Sequence, residues 1–325
     1  MRRAVTKKAA LAEANVHEQI ARTMYYFSIQ LLFASIVCSA AWALTSILRA
    51  SSTTKYWIWV ATAFNFVVPA GAIIDKLCAP HLTWARPLAV IGGPVWDMTQ
   101  GRTAVILGVI WMTGAFSMLT RLILRIRKEH GEAKIQESPN DRGYCSDFLT
   151  DGIPVSFSDS HPSPAVRGVL YPRILLPTGI DRLLSQREFR AVLIHELAHA
   201  RRRDNLIRLL YEVSLCALWF HPLIWFAGTR MALYRELSCD ESVIRRAHGQ
   251  ELLSALAKLA VPEQAGVLQA TASSHLSHRL ARLAGPPKTT YRATSVLLTS
   301  LFGAAIAGGI LQTIAHTACC FVLKR

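Results

Sequence analysis

The sequence predicts a mainly α membrane protein: four transmembrane helices bracket one soluble α+β segment, 121–293. Three observations carry that prediction. Hydrophobic residues make up 52% of the 325 and charged ones only 18%, with a mean hydropathy of +0.28, a balance that excludes disorder. Four apolar runs are long enough to cross a bilayer. Between the third and fourth lies a stretch with helical apolar rhythm and short strands bounded by Gly and Pro.

The first run, 24–48, holds no charged residue, and its 25 residues exceed the length that about 30 Å of hydrocarbon requires. A cleavable signal peptide has a shorter apolar core, so the run reads as a span. The second, 56–74, opens on interfacial aromatics and carries Asn65 and Pro69, which a membrane helix tolerates. The third, 103–120, runs into a basic segment containing Arg121, Arg125, Arg127 and Lys128. The fourth, from 294 to about 314, contains a GAAIAGG stretch suited to close helix packing. The expected divisions are a basic tail 1–23, three spans within 24–120, a metal-binding domain 121–260, a linker 261–293 and a last span with a short tail, 294–325.

Orientation follows the Lys/Arg count beside the spans. The side that carries 121–293 has eleven and the other ten, five of the latter lying before Met24. A translation start at Met24 would leave eleven against five and place 121–293 in the cytoplasm; whether the start is Met1 or Met24 stays open. Lys plus Arg number 36 against 21 Asp plus Glu, a formal charge of +15. The basic residues are juxtamembrane or at 201–203, and no helix-turn-helix or zinc-finger pattern occurs, so membrane lipids and not nucleic acid are the expected polyanionic partner. Cys38, Cys78, Cys145, Cys216, Cys239, Cys319 and Cys320 form no CxxC pair, so isolated thiols are expected. A disulfide from Cys78 to Cys319 or Cys320 on the outer face stays open.

Within the soluble segment, REFRAVLIHELAHARRRDN (187–205) carries His195-Glu196-Leu197-Ala198-His199 on a helix. Two imidazoles at i and i+4 share a face and can reach one ion at about 2.0–2.1 Å. Two surface histidines are the bland alternative. A catalytic zinc takes three protein ligands and an open position. Downstream, Glu236 and Asp240 share a helical face: Glu236 fits the third ligand, and Asp240 fits a hydrogen bond that fixes an imidazole tautomer. Cys239 is a rival ligand that points away from that face. Glu196 is then placed to take a proton from water and return it to a leaving amine. His221, Tyr234 and Arg235 are candidate transition-state stabilisers that sequence does not separate. The apolar stretch 206–233 cannot cross the membrane once, because Glu236 and the histidines would then face opposite compartments. Pro222 breaks the helix at His221, so a hairpin returning to the same side is expected. Strands are expected within 153–159 and 166–177, as an edge for an extended peptide or as plain packing.

HELAHARRRDN, FHPLIWF and RELSCDESV, with KYWIWVATAFNFVVP and GVLYPRILLP, resemble the membrane metallopeptidase family of BlaR and MecR, the bacterial antirepressor signal transducers. The resemblance runs from about residue 24 to 314. It implies a cytoplasmic gluzincin-type domain of a multi-pass inner-membrane protein, with one zinc on His195, His199 and Glu236 and with Glu196 as general base. It also implies cleavage of the chain itself, in the linker, or of a partner, ending in loss of a winged-helix transcriptional repressor from DNA. Antibiotic-sensing members carry a large extracellular penicillin-binding domain after the fourth span, where this sequence has about a dozen residues. It therefore reads as a short form whose signal reaches the spans, the loop 75–102, the tail or a separate sensor protein; a homodimer stays open. Two rival functions remain: a membrane-protein quality-control or prenyl-protein protease with the same HExxH and ExxxD chemistry, and a non-catalytic zinc-stabilised receptor or scaffold.

Overall fold

The computed structural model describes residues 31–47, 50–67, 102–131, 152–159, 161–246, 248–259 and 269–284. The fourth expected span, the parts of the first two runs at 24–30 and 68–74, and Cys78, Cys145, Cys319 and Cys320 lie outside them.

Helix α1 (Leu31–Ile47) is apolar; Ser35, Ser39 and Thr45 return their hydroxyls to carbonyls four residues back, so these three hydroxyls do not face an apolar surround unpaired. Helix α2 (Ser52–Asn65) starts at Ser51, whose Oγ accepts from Thr54 N at 3.1 Å, a cap worth about 1 kcal/mol. Helix α3 (Arg102–Gly131) contains the one described stretch long and apolar enough to cross a bilayer, Val105–Lys128. Its 24 residues rise about 36 Å. Val105 and Phe116 are 66% and 72% exposed, an outward apolar face that lipid would cover.

After α3 comes a three-stranded sheet, β1 (Val155–Ser158), β2 (Ala165–Arg167) and β3 (Arg173–Pro177), in the order β1-β3-β2. β1 runs parallel to β3 and β2 antiparallel to it, so β2 is an edge strand. A short α4 (Ile180–Leu183) leads to α5 (Gln186–Arg202), which opens with a reciprocal cap: Ser185 Oγ accepts from Glu188 N, and Glu188 Oε2 accepts from Ser185 N at 2.7 Å. α5 ends at Arg203, the one described non-glycine residue with a left-handed backbone (φ 56°). The chain turns there into α6 (Asp204–Ala217). After a break at 218–221, α7 (Pro222–Ile244) runs back with Pro222 in its first turn, where a missing N–H is harmless. The expected hairpin is thus present. Tyr211 Oη donates to the Ile224 carbonyl at 3.1 Å across it, and a Cβ on Gly228 would lie 1.9 Å from that hydroxyl, so only glycine admits this crossing. Helices α8 (Gly249–Leu259) and α9 (Gln269–Ala284) follow; residues 269–284, expected as linker, are helical.

Two apolar cores form. One joins α1, α2 and the α6–α7 hairpin through residues such as Cys38, Trp59, Leu215 and Ile224; the other joins the sheet, α5 and α8 through Leu176, Val192, Leu252 and Val243. α7 enters both cores, and the Glu236–Asp240 turn falls where it passes from one to the other. Glu188 ties α5 to α8, accepting from Ser254 Oγ and, at 2.7 Å, from Lys258 Nζ. The Lys258 ammonium first, then the Ser254 hydroxyl, hold its carboxyl down at about 2, from an ordinary 4.5. A carboxyl lowered on folding stabilises fully above its unfolded value and loses that contribution as pH falls through it. Glu188→Gln should therefore lower the thermal midpoint of the purified chain at neutral pH, with the difference shrinking below about pH 4.5 and gone near pH 2.

Candidate metal centre

His195 and His199 lie one turn apart on α5, and α7 carries Glu236 against them. Nε2 of His195 is 3.2 Å from Nε2 of His199, and Glu236 Oε2 is 3.5 Å from the former and 3.7 Å from the latter. A tetrahedral ion about 2.0–2.1 Å from its ligands separates them by about 3.3–3.4 Å. The triangle fits one zinc-sized ion, and two imidazoles with a carboxylate are donors that zinc takes.

Each imidazole presents its other nitrogen to a buried aspartate. Asp240, fully buried, places Oδ1 3.0 Å from His195 Nδ1. Asp204 places Oδ2 2.6 Å from His199 Nδ1. Each aspartate is in turn gripped by a two-pronged guanidinium: Arg279 of α9 donates to Asp240 at 2.8 and 2.9 Å, and Arg202 donates to Asp204 twice at 2.6 Å. A carboxylate behind an imidazole sets its tautomer and ring angle. Asp204 also accepts from Tyr56 Oη of α2 at 3.0 Å, with the Arg202 guanidinium 4.2 Å from the Tyr56 ring centroid. Two more contacts tie the start of α2 to α7: Ser52 N donates to Glu241 Oε2 at 2.8 Å, and Thr53 Oγ1 lies 3.0 Å from Ser238 Oγ.

Glu196, 8% exposed, lines the same cavity of about 400 Å³ as His195, His199 and Glu236. Leu252, Leu256 and Leu259 of α8 form an apolar wall, and residues 163–166, leading into edge strand β2, form another. Arg235 donates to Glu236 Oε1 at 3.1 and 3.2 Å and borders the cavity. Arg279 Nη1 lies 3.5 Å from Glu236 Oε2.

Two of the expected residues lie elsewhere. His221 caps α7 beside α1 and α2, with Nε2 3.3 Å from Ser35 Oγ and its ring 5.1 Å from that of Phe66. Tyr234 packs on the α1–α2 core beneath Lys55, because residues two apart on a helix do not share a face with Glu236. Neither borders the cavity. Cys239 is buried against Arg202, whose Nη2 donates to Sγ at 3.2 Å. His199, Asp204 and Cys239 make a second triad by distance, but the Arg202 guanidinium bonds both Asp204 and Cys239, so a cation is already there.

Burial opposes a charged imidazole at His195, yet the Asp240 and Glu236 carboxylates outweigh it and raise it to about 9. His199 is likewise opposed by burial and raised well above its ordinary value by Glu236 and Asp204. Burial works to raise Glu236, but the two imidazoles hold it well below the usual carboxylate range. An ion binding there must displace imidazole protons. Apparent zinc affinity should therefore climb between about pH 6 and 9, by up to about tenfold per unit for each proton released. Asp204→Asn and Asp240→Asn should each weaken zinc binding about 10–100-fold, read as metal retained after dialysis against a chelator, while Glu196→Gln retains it.

The profile of the BlaR1 peptidase M56 family matches residues 24–283. Regulatory protein BlaR1 of Bacillus licheniformis is 37% identical over 144 residues, 42% of this chain and 24% of that protein. The methicillin resistance mecR1 proteins of Staphylococcus aureus and Staphylococcus epidermidis are each 27% identical over 157 residues, 45% of this chain and 26% of theirs. The chain thus spans about a quarter of the length of these relatives. The family match covers most of the chain, and the chain belongs to the BlaR1 peptidase M56 family of metallopeptidases.

Proposed function

We propose that the chain is a zinc-dependent endopeptidase of the bacterial inner membrane that cleaves itself, a winged-helix transcriptional repressor, or both, in an antirepressor circuit. The observation that carries this reading is the His195–His199–Glu236 triangle with Glu196 on the same cavity wall. Zinc held there supplies Lewis acidity, which polarises a carbonyl and eases loss of a proton from water. Glu196 accepts that proton on its carboxylate and delivers it to the departing amine nitrogen. Arg235, and Arg279 on the other side of Glu236, present positive charge where a carbonyl oxygen gains negative charge. The two aspartates keep the imidazole Nε2 atoms aimed at one point.

Four spans with the peptidase domain on the cytoplasmic side complete the proposal. It is supported by α3, by the apolar α1, by the hairpin that brings α7 back to the α5 side, and by regulatory protein BlaR1 being a relative. The test is an immunoblot of membranes holding tagged wild type or Glu196→Gln together with a candidate repressor. Loss of the general base should slow formation of a shorter fragment, or loss of the repressor, about 10²–10⁴-fold. Equal product from both proteins would instead favour a zinc-stabilised receptor.

A further inference from the structure

The α6–α7 hairpin has an uncharged tip. Residues 213–229 hold no Asp, Glu, Lys or Arg, and the eight residues on either side of His221 rise about 12 Å per arm, close to half of a hydrocarbon core about 30 Å thick. Charge returns at the base, where Glu212 pairs with Arg208 at 3.0 Å and with Arg125 of α3. Three helices meet the tip, each near the middle of its apolar run. His221 Nε2 lies 3.3 Å from Ser35 Oγ, one residue from the centre of run 24–48, and its ring is 5.1 Å from that of Phe66, one residue from the centre of run 56–74. Trp219 lies on α3 at Trp111 and Gly114, near the centre of run 103–120: its Nε1 donates to the Trp111 carbonyl at 3.3 Å, and a Cβ on Gly114 would fall 2.1 Å from its ring. The backbone opened by the break before Pro222 finds its partners within the protein. Trp111 Nε1 donates to the Ala217 carbonyl at 2.8 Å, Trp225 Nε1 to the Trp219 carbonyl at 2.9 Å and His221 N to the Leu218 carbonyl at 3.0 Å. Non-helical backbone at membrane depth needs such partners, whereas water would serve it at a protein surface.

We propose that the α6–α7 hairpin is a re-entrant membrane element: it enters the bilayer from the side of the metal centre, turns at 218–221 near the mid-plane, and presents its outer apolar face to lipid acyl chains. Val213 and Trp225 stand on that face, 50% and 44% exposed. Beside them α3 leaves Ile110, Met112 and Phe116 exposed at the same level, so one apolar surface runs across both elements. The hydrocarbon that covers α3 therefore covers the hairpin too. The same depth places Glu236, about 21 Å along α7 from Pro222, at the level of the lipid headgroups, and the metal centre is anchored to the membrane by its own helix. The inference rests on the crossing by α3 in the proposed function and is independent of proteolysis.

Depth-resolved quenching of the full chain in phosphatidylcholine–phosphatidylglycerol vesicles tests it. An environment-sensitive fluorescent amino acid replaces, one at a time, Phe220 at the tip, Val213 on the first arm, Phe116 on α3 or Leu183 on α4, all exposed positions. The quenchers are lipids spin-labelled near the end of the acyl chain and iodide in the water. Probes at 220, 213 and 116 should be quenched by the labelled lipid and be about tenfold less open to iodide than the probe at 183, because an anion is costly to carry into hydrocarbon. The positions 220 and 213 report separately, so failure of one variant to fold leaves the other to decide. Iodide quenching at 220 and 213 equal to that at 183, with 116 shielded, overturns the re-entrant hairpin and leaves the crossing by α3 standing. Iodide quenching at 116 as well overturns the crossing together with the hairpin. Shielding of 220 and 213 from both quenchers would put the tip inside protein and overturn the lipid contact.

Discussion

Everything around the metal centre depends on two buried aspartates that are never left unpaired. Asp240 and Asp204 sit out of water, where removing one partner of a charge pair costs about 3–5 kcal/mol. Each is met by an imidazole on one side and a two-pronged guanidinium on the other. That requirement explains why elements far apart in the chain converge. α9 is drawn in to supply Arg279, α5 and α6 must form a corner to supply Arg202 and Asp204, and α7 must return along the α5 side to supply Asp240 with Glu236.

The same requirement ties the membrane part to the chemistry. The first turns of α2 reach Asp204 through Tyr56, Glu241 through a backbone amide and Ser238 through Thr53. A helix in the expected second span therefore shares hydrogen bonds with both halves of the site. On the proposed reading, a shift of α2 along its axis would be felt at His199 through one aspartate, without any separate transmitting domain.

What was legible in the sequence, and what was not, follows from helical geometry. His195, Glu196 and His199 show at i and i+4, as do Glu236 and Asp240, because regular helices preserve that spacing. The hairpin at Pro222 was legible because both halves of the site must share one compartment. Asp204 was hidden: five residues after His199 it would face elsewhere on a continuous helix, and only the left-handed turn at Arg203 brings it back. Arg279 was hidden because its partner is 39 residues away, in a segment whose polar composition reads as a linker. Tyr56 looked like an interfacial aromatic of a span. Tyr234 and His221 are near Glu236 in sequence, but helical phase carries Tyr234 onto the α1–α2 core and the chain reversal leaves His221 beside α1. Arg235, one residue from Glu236, reaches its carboxylate only because its side chain is long.

The central claim is that one zinc is held by two imidazole nitrogens and the Glu236 carboxylate, with Cys239 outside the coordination shell. Zinc-edge X-ray absorption of the full chain, purified with its metal, tests it most directly. The account predicts a first shell of nitrogen and oxygen at about 2.0–2.1 Å with the outer scattering of two imidazole rings. A sulfur neighbour at about 2.3 Å would put Cys239 on the metal and contradict the site described above.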